Sequence, residues 1–329
     1  MFTRSSSLAV FLVLAFGHCF VGCNAEQALQ ELSKQIPRQK AADRGVVPPP
    51  MSVPAANHGD TVKIASFNIQ VFGTSKIGKP QVMNVLAAVV RRFDVVAIQE
   101  IRSKDTTLLP RFIEMINAEG AQYDYVIGPR LGRTSSKEQY AFVFDASRIA
   151  YDPQSIYTAH DSADLLHREP LVTRFSVRGL PARQAFTFTL VNIHTDPDDT
   201  DVELNALDDV FVAVQRDASG EDDVILLGDL NVDERHLGQL GGLPNIAWAV
   251  SGEKTNTRRT KSYDNIIFDR TATREYVGRW GVFDLTAEFG LTRDEALEVS
   301  DHLPVWAEFS AYEAGVAGPV ATRPATAPR

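Results

Sequence analysis

DVILLGDLNVD, residues 223–233, is an apolar run of strand length that closes on an acid and an amide two positions apart, Asp229 and Asn231. Side chains alternate along an extended strand, so this spacing puts both groups on one side of the strand end. There an acid can supply charge and an amide a donor to one oxygen of a metal-bound phosphate. An Asx turn is the competing reading of Asp-Leu-Asn. Outward from this run the pattern recurs in KIASFNIQVFG from Lys63, FDVVAIQEIRS from Phe93, FTLVNIHTDP from Phe188, SYDNIIFD from Ser262 and SDHLPVWAEF from Ser300. These deliver Asn68, Glu100, His194, Asp264, and Asp301 with His302. As buried strands of one sheet system, the runs would gather their polar residues along one rim.

Between the runs, Pro80 to Arg92, Thr107 to Glu119 and Val202 to Arg216 carry apolar residues at spacings of three and four, which predicts helices. The strands are flanked by helices yet also come in consecutive pairs, as in Tyr123 to Ile127 followed by Tyr140 to Phe144. That mixture suits a mixed sheet, or two packed sheets with helices outside, and disfavours a doubly wound nucleotide fold. No glycine-rich phosphate loop follows the first strand, and the chain shows no internal repeat.

With 329 residues, 44% of them apolar, the chain can build one large domain or two small ones. A net charge of −9 and a pI near 5.3 argue against a protein that coats nucleic acid through a positive field. An enzyme that must release its product is less constrained, because a local group of Arg and Lys can hold a phosphate chain on an acidic body.

Residues 1–23 read as a signal peptide, in which Arg4 precedes LAVFLVLAFGHCFVGC, an apolar run too short and interrupted for a comfortable membrane span. Phe20 to Cys23 resembles an imperfect bacterial lipobox with Phe where Leu is usual, so Cys23 is where a lipid anchor would attach. The expected location is secreted, periplasmic or cell-surface. Both cysteines, Cys19 and Cys23, lie in this segment, so the mature domain has no internal disulfide. Residues 24–60, with Pro48-Pro49-Pro50, read as an extended linker, either a tether or a plain leader. Residues 61–311 form the expected domain, and the Ala-, Pro- and Thr-rich stretch 312–329 reads as a disordered tail.

Glu100 closes Val95-Val96-Ala97-Ile98 after Gln99, where a buried carboxylate is costly without a cation or several donors. A hard divalent ion is one partner that would suit it; a salt bridge to Arg102 is the structural alternative. His194 and His302 matter most if each has a carboxylate partner. Hydrolysis of a phosphodiester needs a base for water and an acid for the leaving oxygen, and each imidazole needs an acceptor on its other nitrogen. Glu138 and Asp264 are candidates for those acceptors, and the sequence does not pair them. Alone, a strand-end histidine is more often structural.

The order Asn68, Glu100, Glu138, His194, Asp229-Leu230-Asn231, Asp264 and Ser300-Asp301-His302 resembles the endonuclease/exonuclease/phosphatase superfamily over about residues 61–311, closest to its deoxyribonuclease I branch. Leu131 to Glu138, LGRTSSKE, resembles that branch's DNA-contacting loop; Arg102 matches its minor-groove arginine, and Arg168-Glu169-Pro170 its phosphate-binding segment. The resemblance implies an α/β (α+β) four-layer sandwich, two packed mixed β-sheets flanked by helices. It also implies that Glu138 pairs with His194 and Asp264 with His302; we assign His302 as the base and His194 as the acid, the reverse assignment being the alternative. Glu100, Asp229 and Asp301, helped by Asn68 and Asn231, would hold Mg2+ or Mn2+, and Arg102, Arg133 and Arg168 would bind the DNA substrate.

The implied protein is a secreted or surface-anchored endonuclease, monomeric and without an obligate protein partner. Departures from the family are also informative. Ser136 stands where the family has a sugar-stacking tyrosine, and Glu234 and Lys261 stand where it has a core disulfide. An ion pair between these last two, worth at most about 1 kcal/mol if exposed, is the expectation. Asp164 and Glu169 match acidic positions of a family Ca2+ site, although the loop before them is shorter and lacks its cysteines. Two competitors remain: a phosphodiesterase or phosphatase of this fold acting on a phospholipid, sugar phosphate or nucleotide, and a non-catalytic binding protein. Retention of Arg102, Arg133 and Arg168 favours DNA, and a binding protein would have lost a histidine or a metal acid.

Overall fold

The computed structural model describes residues 59–313 apart from Ser135 and Ala218. The expected signal peptide, the linker up to residue 58 and the tail beyond residue 313 lie outside the described residues. In chain order the elements begin with β1 (Thr61–Phe72), α1 (Thr74–Ile77), α2 (Pro80–Val90), β2 (Val95–Ile101) and α3 (Leu108–Asn117). Then come β3 (Tyr123–Ile127), β4 (Gln139–Asp145), β5 (Ile149–Tyr151), β6 (Tyr157–Thr158), β7 (Leu171–Val177), β8 (Thr187–His194) and α4 (Thr200–Gln215). The rest are β9 (Val224–Asp229), α5 (Gly238–Gly242), β10 (Ile246–Trp248), β11 (Asp264–Asp269), β12 (Tyr276–Val282), α6 (Leu285–Phe289), α7 (Arg293–Val299) and β13 (Val305–Ser310).

The strands form two sheets: six strands ordered β12-β13-β1-β2-β4-β3, and seven strands made of β10-β11-β9-β8-β7-β5 with β6 also paired to β7. Both are mixed, because β1 runs parallel to β2 and β8 parallel to β9 while the other pairs are antiparallel. Three apolar layers explain the stacking. Ile64, Ala97, Phe142 and Phe144 of the first sheet meet Phe175, Phe188, Leu190, Leu227 and Phe268 of the second. The first sheet's other face, with Phe67, Val96 and Ile98, packs on Leu86, Phe112 and Ile116 of α2 and α3. The second sheet's outer face, with Val191, Ile193 and Leu226, packs on Leu204, Leu207 and Phe211 of α4. Helix, sheet, sheet, helix is the expected four-layer sandwich. It also explains the continuous apolar runs, since a strand covered on both faces has no solvent side to alternate toward.

The three helices predicted within residues 61–311 are present, with shifted ends. α4 begins at Thr200 rather than Val202, where Asp201 and Glu203 favour the positive helix end. At the C-terminal end, Tyr312 and Glu313 belong to the fold rather than to a tail. Tyr312 bridges Ala185, and Glu313 N donates to Gln184 O at 2.9 Å, so sheet-edge pairing continues past Ala311.

Strand direction decides where chemistry collects. β8 and β9 run parallel and end at His194 and Asp229, whereas β11 is antiparallel to β9 and begins at Asp264. Likewise β13 is antiparallel to β1, so the residues just before it, Ser300 to Leu303, lie beside the end of β1 that carries Asn68. Gly228 permits the tight approach of β9 to β8: its φ is 159°, and a Cβ there would sit 1.8 Å from Ile193 O.

Candidate active site

Strand register builds the first row of the site. His194 lies opposite Asp229 across β8 and β9, and Asp229 lies opposite Asp264 across β9 and β11. His302 enters from the segment before β13. The two imidazoles face one carboxylate oxygen, with Asp229 Oδ2 at 3.5 Å from His194 Nε2 and 3.4 Å from His302 Nε2. Their other nitrogens are held from behind: His194 Nδ1 lies 2.9 Å from Glu138 Oε1, and His302 Nδ1 lies 3.0 Å from Asp264 Oδ2. A carboxylate on Nδ1 keeps that nitrogen protonated and leaves Nε2 to exchange a proton toward the shared space.

The electrostatics follow from this packing. Burial opposes charge on His302, but the carboxylates of Asp264 and Asp229, the hydrogen bond to Asp264 and the charge of Asp301 outweigh it and raise its pKa well above the ordinary 6.5. His194 is raised for the same reasons, burial being outweighed by Glu138 and Asp229, with Arg168 working against them. Burial raises Asp264, partly offset by His302 and by the Thr255 hydroxyl, which donates to its Oδ2 at 2.6 Å.

Asn68 links the acids. Its Nδ2 donates to Asp229 Oδ2 at 3.0 Å and to Glu100 Oε1 at 3.3 Å, while its Oδ1 accepts from Gln70 N at 2.8 Å. Asn68 thus orients two acids, and its oxygen, with two lone pairs, accepts one backbone hydrogen bond. Asn231 acts similarly: its amide nitrogen donates to Asp229 Oδ1 at 3.0 Å, and its Nδ2 to Thr195 O at 2.8 Å. Glu100 sits at a β-bulge with φ of 63°, which turns its carboxylate toward Asn68. Val71 N donates to its Oε2 at 2.7 Å, and Arg102 Nη2 lies 3.0 Å from the same oxygen. The salt bridge foreseen as the structural alternative for Glu100 is therefore present, alongside the link to Asp229.

Asp301, half-exposed, places Oδ1 4.0 Å from His302 Nε2; burial raises its pKa, and Glu100 and Asp229 add to the rise against the pull of His302. One ligand atom each of Asp229, Asp264 and His302 lie within 4.8 Å of one another. Asp264 is already bonded to His302 and Thr255. Asp229 and Glu100 likewise already accept hydrogen bonds, and neither Glu100 nor Asp301 belongs to that group of three; carboxylate oxygens are of the kind that suits a hard divalent ion such as Mg2+ or Mn2+.

The arginines divide. Arg168 Nε donates to His194 O at 3.1 Å and lies 3.4 Å from Glu138 Oε1, while its buried Nη2 has no hydrogen-bond partner. Arg102 reaches Glu100 and, at 3.7 Å, Glu138 Oε2. Arg133 is committed to Asp164, Nη2 to Oδ1 3.2 Å, and to Leu166 O at 3.3 Å. The same contact bears on the matched Ca2+ positions: Asp164 faces an arginine, and among the described residues no metal-capable group of acids contains Asp164 or Glu169. Ser136 is exposed on this loop.

The expected Glu234–Lys261 ion pair does not form. Glu234 Oε1 instead accepts from Ser251 Oγ at 3.2 Å and Gly252 N at 3.0 Å, donors that a turn brings closer than a long, exposed lysine.

Sequence reasoning missed several supports. Gln99 Nε2 donates to Asn192 Oδ1 at 2.7 Å, a buried bond between the sheets, and His194 N donates to the Tyr140 hydroxyl at 3.0 Å. Asn192 carried a usable signal, being a polar residue inside an apolar run two positions before His194. Lys76 carried none. Its ammonium donates to three backbone carbonyls near the site, a role visible only in three dimensions.

Among the described residues, no helix is long and apolar enough to cross a membrane. The pattern of the Endonuclease/Exonuclease/phosphatase family matches residues 65–302. Human "Deoxyribonuclease-1-like 1" is 32% identical over 271 residues, covering 79% of this chain and 88% of that protein. "Deoxyribonuclease-1" of Bos taurus is 31% identical over 265 residues, covering 75% of this chain and 92% of that protein. An endonuclease/exonuclease/phosphatase family protein from Bacteroides thetaiotaomicron shares the fold with a TM-score of 0.53 at 18% identity, over 75% of this chain and 97% of its own. By the match over residues 65–302 and by these relatives, the chain belongs to the Endonuclease/Exonuclease/phosphatase family of hydrolases.

Proposed function

We propose that the protein is a secreted or surface-anchored, divalent-metal-dependent endonuclease that hydrolyses phosphodiester bonds of DNA. The observation that carries this reading is the pair of carboxylate-backed imidazoles whose Nε2 atoms face one oxygen of Asp229 from 3.5 and 3.4 Å. Two proton-exchanging nitrogens across a common acid suit a displacement in which one oxygen gains a proton as another loses one. In this reading His302 Nε2 takes the proton of the attacking water, and Asp264 offsets the charge that appears on the ring. His194 Nε2 gives its proton to the leaving oxygen, with Glu138 holding the ring. Arg168, whose buried Nη2 lacks a partner, hydrogen-bonds a non-bridging phosphate oxygen. A Mg2+ or Mn2+ ion held by Glu100 and Asp229 with Asp301 would offset the negative charge that develops on the phosphorus centre.

The substrate assignment draws on the names of the two deoxyribonuclease relatives and on Arg102 and Arg168 at the rim. It is tested with supercoiled plasmid and purified protein, with and without Mg2+, beside His194→Ala. Nicking by the wild type only, and only with Mg2+, is the expected outcome. An intact plasmid beside cleavage of a nucleotide, sugar phosphate or phospholipid would move the reading to another substrate of the same chemistry. Location is a separate part of the proposal: export directed by residues 1–23 and, where the protein is anchored, attachment through Cys23. Cys23→Ser should then shift the protein from the membrane fraction to the soluble fraction of the producing cell.

A further inference from the structure

β1 does not end straight. Gln70 and Val71 take φ of 36° and 52°, a left-handed region costly for any residue with a Cβ and most costly for a β-branched one. The turn aims the two amides at the site, Gln70 N at Asn68 Oδ1 and Val71 N at Glu100 Oε2. The carbonyls of Ile69 and Gln70 meet Lys76, whose Nζ donates to them at 2.7 and 2.6 Å and to Val299 O at 2.7 Å. Val299 ends α7, so the third bond satisfies a carbonyl that the helix leaves open. Just beyond, Ser300 Oγ donates to Asn68 O at 2.7 Å and accepts from His302 N at 3.0 Å. An ammonium has three donors. All three are spent here, tying the strained end of β1 to the segment that carries Asp301 and His302.

We propose that Lys76 is a positioning residue for the divalent cation, fixing the Gln70–Val71 turn and with it the spacing of Glu100 and Asn68 against Asp301. It touches neither cation nor substrate in this role, which rests on the metal-site reading given above. Its pKa settles at about 8, burial lowering it and the charges of Asp301 and Glu100 pulling it back up. A lysine that merely held a loop would affect melting temperature and leave cation affinity alone.

The test is Mn2+ binding by the full chain, read from the electron paramagnetic resonance signal of free Mn2+, with melting temperature measured in parallel. Lys76→Met should weaken Mn2+ binding by about tenfold or more, as for other residues that orient metal ligands. Adding Val71→Gly to Lys76→Met should recover much of the affinity, because glycine takes positive φ without strain and Val71 is 52% exposed, so little packing is lost. Affinity equal to wild type in Lys76→Met, with only a lower melting temperature, overturns the proposal. If Lys76→Met does not fold, Lys76→Arg decides. Its planar fork cannot meet three convergent carbonyls as an ammonium does, so weakened binding supports the proposal and unchanged binding overturns it. Wild type without a Mn2+ site that Glu100→Gln weakens would defeat the metal-site reading, and the role of Lys76 with it. A wild-type site that Glu100→Gln does weaken, beside unaffected Lys76 variants, would defeat the Lys76 proposal alone.

Discussion

Asp229 Oδ2 receives Asn68 Nδ2 at 3.0 Å and faces both imidazole Nε2 atoms, so a single oxygen organises the centre of the site. The residue types were legible in the sequence because a phosphodiester hydrolase needs acids, amides and imidazoles at strand ends. Their pairing was not legible from the residues alone and came only from the family resemblance. Glu138 and His194 are 56 positions apart, and Asp264 and His302 are 38, and the partners of each couple come from different sheets, so only the packing of one sheet on the other brings them together. The pairing has a measurable consequence. In the proposed role of base His302 must be neutral, and Asp264 and Asp229, outweighing burial, hold its pKa above 6.5; the acidic limb of the rate–pH profile is therefore expected above that value. Asp264→Asn removes the main source of the rise, so it should lower kcat and move the limb to lower pH. A limb that stays in place in Asp264→Asn, read from plasmid nicking rates across pH, would assign the base elsewhere.

At the scale of elements, apolar periodicity located the helices and strands well, and ends were set by chemistry that periodicity does not carry. α6 shows this. Asp284 caps it, with Oδ1 accepting from Thr286 N at 2.9 Å and Ala287 N at 3.2 Å, and Oδ2 accepting from Arg259 at 2.8 Å. Burial works against the charge, but these bonds and that of the Thr286 hydroxyl hold the pKa down at about 2 from 3.8. The folded value is below the unfolded one, so the cap's stabilisation is present above pH 3.8 and is lost as pH falls toward 2. Asp284→Ala should cost about 1 kcal/mol at neutral pH, measured by urea unfolding. The difference from wild type should shrink as the titration nears pH 2. An equal difference at both ends of that window would mean that packing, not the charged cap, is lost. The bends at Glu100 and at Gln70 and Val71 were invisible to the sequence reading because non-glycine residues adopt the left-handed region there, with Gln70 N held by the Asn68 side chain two residues away and Val71 N by the side chain of Glu100 on β2.

For the molecule as a whole, the apolar pattern alone left a mixed sheet and two packed sheets open, because a run covered on both faces looks the same in either, and the family resemblance pointed to the two packed sheets. The buried Gln99–Asn192 bond between the sheets and the shared aromatic layer of Phe142, Phe175 and Phe188 mark the sandwich. Its acidic charge bears on substrate grip. Arg133 is bound to Asp164, leaving Arg102 and Arg168 as the rim cations nearest the histidines, both already close to acids. Duplex binding by the His194→Ala protein should therefore depend only weakly on salt, with a slope of log affinity on log salt of roughly −2 for two phosphates neutralised. A slope beyond about −5 would reveal a larger basic footprint than this rim provides.

All of these expectations share one geometric claim, that a single rim collects the metal acids and both histidines. Its most direct test is anomalous diffraction at the manganese edge from crystals grown with Mn2+. The peak is expected among the carboxylates of Glu100, Asp229 and Asp301, beside the imidazoles of His194 and His302. A peak confined to Glu221, Asp222 and Asp223, acids at the opposite end of β9 from Asp229, would contradict it, as would no bound Mn2+ at the rim.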